Sequence, residues 1–358
     1  MSVNTPVLYT PQVESFEDDE HKTVSELNET FDVILTKTAE DYGHAVRSVH
    51  AKAHGILEGT MAVRSGLPLE LSQGLFAKPG TYKVFMRIST NAGDILPDAI
   101  SLPRGLAIKV TDVPGARLPD AAGTTQDFVM VNGPVFQAKT SKKFLGSLKM
   151  LAKTTDRMEG TKEVLSDVLQ SVNTALEAVG VSSPTVQSLG GAPDSDPLGE
   201  TYYSVTPFRY GDYIAKFSIR PVSRELTELT GKEIDTKDQP DAIRDTVQAE
   251  MQHLTGEWEF CVQLCRDLKK QPIEDPTTQW DETDAPFVAV ATIRAEPQDS
   301  WSEANVLKVD EQMRFSVWTG LAAHEPLGNI NRARKATYEH SAKFRERFNR
   351  CPIHEPSS

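Results

Sequence analysis

Arg334 and Tyr338 stand four residues apart in a basic stretch near the C-terminus, NINRARKATYEHSAKFRERFN, so a helix there puts both on one face. A phenol must ionise to ligate ferric iron, and a neighbouring guanidinium favours the ionised form. Arg345 follows Tyr338 by seven residues, two turns along the same face. In RSVHAKAHG, Arg47 and His50 precede a β-rich region. His54 follows four residues after His50, which raises a metal pair, although no third ligand stands at zincin spacing. In VFMRISTNAG, Arg87, Ser89 and Asn91 alternate onto one strand face, and a buried arginine there wants an anion. In DFVMVNGPVF, Asn132 ends an apolar strand ahead of Gly133-Pro134. Taken singly, each has a plainer account: a surface helix with one half-buried tyrosine, a satisfied histidine, an edge-strand arginine, a turn asparagine.

The elements that must position these residues are legible as hydrophobic periodicity. Residues 1–23 are polar and read as an arm, and residues 24–358 as one domain. Residues 24–46 have helical spacing, with Leu27, Phe31, Ile34 and Leu35 on one face and Gly43 placed to end the helix. Residues 60–136 change character: TMAV, TYKVFMRIST, RGLAIKV and DFVMVNGPVF are short β-rich runs separated by Gly, Pro and Asp. Residues 141–182 return to helical spacing, and 183–200 read as a Ser/Gly/Pro/Asp loop. Strands resume in SVTPFRYGDYIAKFSIRPV, WEFCVQLC and PFVAVATIRA. Helices are expected over 240–254 and 329–349. The order helix, sheet, helices, sheet, helix predicts an α+β fold around an antiparallel β-barrel.

Composition bounds the partners. The chain has 358 residues with 38 Lys+Arg against 51 Asp+Glu, a formal net charge of −13, which argues against nucleic acid and anionic membranes. Its 39% hydrophobic content is ordinary for a globular protein. No apolar run approaches the roughly 18 residues of a membrane span, and the acidic N-terminus lacks a signal pattern. Three cysteines, Cys261, Cys265 and Cys351, make no disulfide framework and read as buried thiols of a reduced, cytoplasmic protein.

In chain order these motifs resemble the haem catalase superfamily. RSVHAK is similar to its distal-histidine segment, VFMRIST to its arginine-bearing strand, and RGLAIKV with DFVMVNGPVF to the strand pair that ends on a distal asparagine. YYSVTPFRYGDYIAKFSIRP resembles a later barrel hairpin. EWEFCVQL and PIEDPTTQWDETDAPFVAVATIRAEP resemble the strand and long loop before the proximal helix, and RARKATYEHSAKFR resembles that helix. The resemblance runs from about residue 40 to 350.

The resemblance implies a catalase-like barrel with surrounding helices that holds haem b. Tyr338 is then the proximal iron ligand and Arg334 keeps it ionised. His50 moves a peroxide proton, Ser89 orients His50, and Asn132 donates to the peroxide oxygen. Arg47, Arg87 and Arg345 pair with the propionates, Val49 lines the access route, and Phe144 or Leu145 packs on the ring. The implied activity is peroxide decomposition, by disproportionation of hydrogen peroxide or peroxidase turnover with an organic donor, in a response to oxidative stress. Its alternatives are conversion of lipid hydroperoxides and haem binding with little turnover; a homo-oligomer is compatible with all three. Ala53 stands where the family has glycine after His-Ala-Lys. Glu339 follows the tyrosine in place of proline, and the chain stops soon after the proximal helix. These departures resemble the shorter, catalase-related branch, which includes weak catalases, organic peroxidases and allene oxide synthases. The synthases carry threonine before the distal histidine; Val49 is catalase-like.

Overall fold

A computed structural model describes residues 5–121, 123–155 and 194–356. The apolar runs become nine strands: β1 (Ala53–Val63), β2 (Thr81–Thr90), β3 (Arg104–Val110), β4 (Gln126–Val131), β5 (Tyr202–Tyr203), β6 (Phe208–Tyr210), β7 (Tyr213–Pro221), β8 (Gly256–Leu264) and β9 (Val288–Ala295). Every pairing is antiparallel, in the order β5-β4-β3-β2-β1-β9-β8-β7-β6. β5 also pairs with β7, which closes all but β6 into the expected barrel. β6 and β7 form a hairpin over Gly211 (φ +62°), where the resemblance implies one.

Four helices matter to the site: α1 (Glu20–Tyr42), α2 (Ser141–Thr155), α3 (Ala242–Met251) and α4 (Asn329–Asn349). α1 starts inside the expected arm, and Gly43 ends it in the left-handed conformation (φ +63°). The arm ahead of α1 is tied down: the Val7 N–H donates to the Cys265 carbonyl, and Leu8 bridges to Tyr213. Arg332 at the start of α4 pairs with Glu14, Glu20 and Glu274 at 2.6, 2.7 and 3.1 Å, which locks arm, α1 and the 265–287 loop to α4. The helical spacing beyond 155 and most of the 183–200 loop lie outside the described residues.

Strand alternation decides where a cofactor can go. Inward-facing Phe76, Phe128, Tyr210, Phe217 and Phe260 fill the barrel around the buried His324, whose Nε2 accepts the Leu75 N–H at 3.0 Å. Burial pushes His324 down to about 3, so it packs as a neutral ring. The interior is thus a packed core, and Arg87 and Ser89, which alternate with the core residues Met86 and Ile88, lie on the outer face.

On that outer face the register sets Ser89 beside Gly105, Arg87 beside Ala107, and Lys109 beside Asp127. Lys109 is wholly buried and bonds Asp127 Oδ1 at 2.7 Å and Glu355 Oε2 at 2.5 Å. Burial raises Asp127, Lys109 opposes, and Glu355, which shares that lysine, raises it again; its carboxyl reaches about 7. The folded protein therefore keeps a proton that the unfolded chain releases near the ordinary carboxylate range. This group's contribution is greatest below about pH 4 and is lost progressively as pH rises towards 7. Asp127→Asn should flatten that slope: parent stability should fall relative to the variant between pH 4 and 7 in denaturant titrations. Parallel curves would refute the assignment.

Both thiols of the CxxxC stretch are buried, and burial raises Cys261 to about 11 and Cys265 to about 12, which leaves them unreactive.

Candidate active site: a cationic cleft outside the barrel

A cleft open to solvent lies on the outer face of β2, β3 and β4. Arg87 and Ser89 come from β2, Gly105 and Ala107 from β3, and Val129 from β4. The small pair Gly105 and Ala107 leaves the floor hollow. The loop before β1 supplies Arg47, Ser48, Val49 and His50, and α4 supplies Tyr338, Ser341, Ala342 and Arg345. Arg314 and Phe315 complete the lining. Ser341 Oγ accepts the Ser48 N–H at 3.1 Å and so joins the loop to α4.

His50 sits in the left-handed region (φ +54°), an uncommon conformation for a residue with a side chain. Its Nδ1 lies 3.1 Å from Ser89 Oγ. Burial, followed by Arg87, Arg334 and Arg47, pushes the imidazole down to about 3, so at neutral pH it is uncharged and can accept a proton. The ring lies against β3: a Cβ on Gly105 would stand 2.4 Å from two of its atoms. Gly105→Ala should therefore displace the imidazole. On the peroxide chemistry that the sequence resemblance implies, haem retention should stay near the parent's and turnover should fall on the order of 10²-fold, the scale of a small misplacement. Turnover within twofold of the parent would show that the ring does not need this seat.

Tyr338 occupies the α4 wall. Arg334 donates to the phenol oxygen through Nε at 3.1 Å and through a terminal nitrogen at 2.8 Å. Its other terminal nitrogen donates to Asn331 Oδ1 at 3.2 Å, and Asn331 is fully buried. The i, i+4 spacing thus delivers two donors to one oxygen.

Arg47, Arg87 and Arg345 converge from a loop, a strand and a helix onto Asp310, which stands in a π-helical turn over Val306–Glu311. Arg47 pairs with the Asp310 carboxylate, Arg87 Nε reaches it at 2.7 Å, and Arg345 donates to the Asp310 and Glu311 carbonyls at 2.6 and 3.0 Å. Burial opposes the charge on Asp310, yet the three guanidiniums outweigh it and hold the carboxyl well below the usual range. Burial also lowers Arg47, helped by Arg345 and Arg87. Three guanidiniums against the carboxylates of Asp310 and Glu311 leave one surplus positive charge at this end of the cleft.

Of the residues singled out in the sequence, Arg47, Val49, His50, Arg87, Ser89, Tyr338 and Arg345 line the cleft, and Arg334 reaches it through Tyr338. Asn132 is not among the lining residues: its Oδ1 accepts the Arg104 N–H at 2.9 Å, and its amide hydrogen-bonds Glu200. Phe144 and Leu145 pack in the cluster of α1, α2 and α4 with Leu27, Phe31 and Ala333. His54 parts from His50: it is fully buried, 3.8 Å from Asp98. Sequence reading passed over Asp310, Gly105, Arg314, Phe315, Ser341 and Ala342. Ser341 and Ala342 lie three and four residues after Tyr338 and were open to helical spacing; Asp310 carries no periodic signal.

The sequence profile of the catalase family matches residues 32–316, most of the chain. The protein belongs to the catalase family. Among solved structures it is similar to a fungal catalase (TM-score 0.63, 19% identity, covering 86% of this chain and 61% of the fungal one). It is also similar to catalase A from Saccharomyces cerevisiae (TM-score 0.62, 19% identity, covering 99% of this chain and 70% of the yeast one). At that identity the likeness speaks for the fold, and the chain spans about three-fifths of the fungal protein's length. No curated protein matches the sequence. No helix among the described residues is long and apolar enough to cross a membrane.

Proposed function

We propose that the cleft holds haem b and that the protein decomposes peroxides, with Tyr338 as the iron ligand and His50 as the proton-moving group. The observation that carries this reading is the pairing, in one cleft, of a phenol oxygen that accepts two guanidinium N–H groups with a neutral imidazole oriented by a serine. The donor set fits a flat apolar dianion. Val49, Ala107, Val129 and Phe315 offer apolar walls, and the arginine surplus at one end suits two carboxylates.

Haem held there would supply a ferric centre able to take up the oxidising equivalents of a peroxide. The chain's own residues supply the rest. Arg334 holds the phenol oxygen as a donor to the metal. The Ser89 hydroxyl donates a hydrogen bond to the Gly105 carbonyl, 3.5 Å away, which leaves its oxygen free to accept from His50 Nδ1–H. The other ring nitrogen then keeps its lone pair for a peroxide proton, which it returns to the departing oxygen. Asn132, whose side chain is engaged by Arg104 and Glu200 outside the cleft lining, takes no part in this step. Arg47 and Arg345 hold the carboxylates.

Haem-loaded protein should be offered hydrogen peroxide and, separately, a polyunsaturated lipid hydroperoxide, with oxygen release and loss of the conjugated-diene absorbance followed. Oxygen release, or hydrogen peroxide consumption with an added organic donor, is expected. Preferential loss of the lipid chromophore would move the assignment to hydroperoxide conversion. Inertness to both would leave a haem-binding protein.

A further inference from the structure

Asp310 does not line the cleft, yet it holds two residues that do. One of its oxygens, Oδ1, receives both Arg47 and Arg87 Nε. Arg87 is almost wholly buried, and its remaining nitrogens are already in use: one donates to the His50 carbonyl at 2.9 Å and the other to the Ala51 carbonyl at 3.1 Å. Arg47 begins the same five-residue stretch that Ala51 ends, and its second terminal nitrogen donates to the Met313 carbonyl at 3.2 Å. Asp310 thus grips the Arg47–Ala51 loop at both ends, directly at Arg47 and through Arg87 at His50 and Ala51. That loop carries His50 in its left-handed conformation.

A stretch whose His50 and Ala51 carbonyls lost their shared partner would relax more readily out of such a conformation, because φ > 0 costs a β-carbon residue energy that its surroundings must supply. The stretch's other main-chain ties among the described residues run from N–H groups: Ser48 to Ser341 Oγ at 3.1 Å, His50 to the Asn91 carbonyl at 3.1 Å and Ala51 to the Ala92 carbonyl at 2.8 Å; Arg87 is what holds the His50 and Ala51 carbonyls. Arg87 has the geometry for this work: a planar fork meets three acceptors at once, which an ammonium cannot do.

We propose that Asp310 is the positioning residue of the site, acting through Arg87 as a strut that fixes the backbone turn aiming the His50 imidazole. Arg87 is then a tie between the π-helical turn and the distal loop more than a clamp for cofactor carboxylates, which Arg47 and Arg345 serve. This rests on the reading of His50 as the proton-moving group.

The test uses haem-loaded protein and its cofactor-free form, with Asp310→Asn and Arg87→Lys. Both variants keep a polar group of similar size, and Arg87→Lys keeps the charge beside His50. Three quantities are measured: haem affinity, kcat and KM for hydrogen peroxide, and the rate at which diethyl pyrocarbonate modifies His50, read by peptide mass spectrometry on cofactor-free protein. We expect haem affinity within about threefold of the parent, kcat down on the order of 10²-fold with KM little changed, and His50 modified at least about fivefold faster as the loop loosens. If Asp310→Asn does not fold, Arg87→Lys carries the test alone. Unchanged modification and kcat, or a lysine that substitutes fully for Arg87, would overturn the strut; weaker haem binding with kcat intact would return Arg87 to the clamp. Should the parent itself not consume peroxide, the functional reading fails, while the modification rates still decide whether Asp310 holds the loop.

Discussion

Tyr338→Phe should leave a folded barrel that no longer holds haem in its parental state. The phenol oxygen is the only atom the substitution removes, and it is the acceptor for two Arg334 N–H groups on the cleft wall. Arg334 keeps Asn331 as a partner, and α4 stays fixed by Arg332 and its three glutamates, so the fold has no reason to fail. Without the anionic oxygen, the cofactor is left with its carboxylate contacts and apolar packing. We expect retention at least about tenfold weaker, the scale of losing one charge-assisted contact, and a changed ferric absorption spectrum wherever haem remains. Visible spectra and haem transfer to apomyoglobin measure both. An unchanged spectrum at full occupancy would remove Tyr338 from the metal, and with it the reason for the Arg334 pairing.

How far the sequence carried this site depends on what kind of spacing each residue needs. Arg334 with Tyr338 needs only the period of a helix, and Arg87 with Ser89 only the alternation of a strand. Both are visible in the chain, and both are found on one cleft. Gly105 stood inside a recognised strand, yet its role depends on the β2–β3 register that puts it opposite Ser89 and beneath the His50 ring. Asp310 was invisible for a stronger reason. VLKVDEQ has no amphipathic period, because a π-helical turn does not repeat, and the three arginines that select it come from positions 35 to 263 residues away. Phe144 and Leu145 show the opposite limit: helical spacing makes them legible as an apolar face but leaves open which neighbour that face meets, and the structure packs both into a cluster with α1 and the cleft residue Val49. Asn132 was placed at its strand end as expected, while the direction of its amide was fixed by Arg104 and by Glu200, 68 residues on.

His50→Ala divides catalysis from binding, because in the proposed mechanism this side chain moves a proton and does not touch the metal. Its ring is uncharged at neutral pH, held below the usual histidine range first by burial and then by Arg87, Arg334 and Arg47. A positive charge added there would face those same three guanidiniums, so the group takes a proton only when the peroxide it faces gives one up, and it releases that proton readily. Removing the imidazole should cost 10²–10⁴-fold in turnover, the usual worth of general acid–base catalysis, and leave the haem spectrum and occupancy near those of the parent. Ser89→Ala should cost less, since it loosens the ring without removing it. The rival assignment, with His50 or His54 on the iron and Tyr338 a bystander, predicts the reverse: a large spectral shift in the histidine variants and none in Tyr338→Phe. His54 is fully buried 3.8 Å from Asp98 and does not line the cleft, which weighs against that assignment. Absorption spectra and oxygen-electrode rates on His50→Ala, His54→Ala and Tyr338→Phe separate the two patterns. If His50→Ala decomposes peroxide at the parent rate, the proton moves by another route, and the neutral imidazole over Gly105 is a packed ring and nothing more.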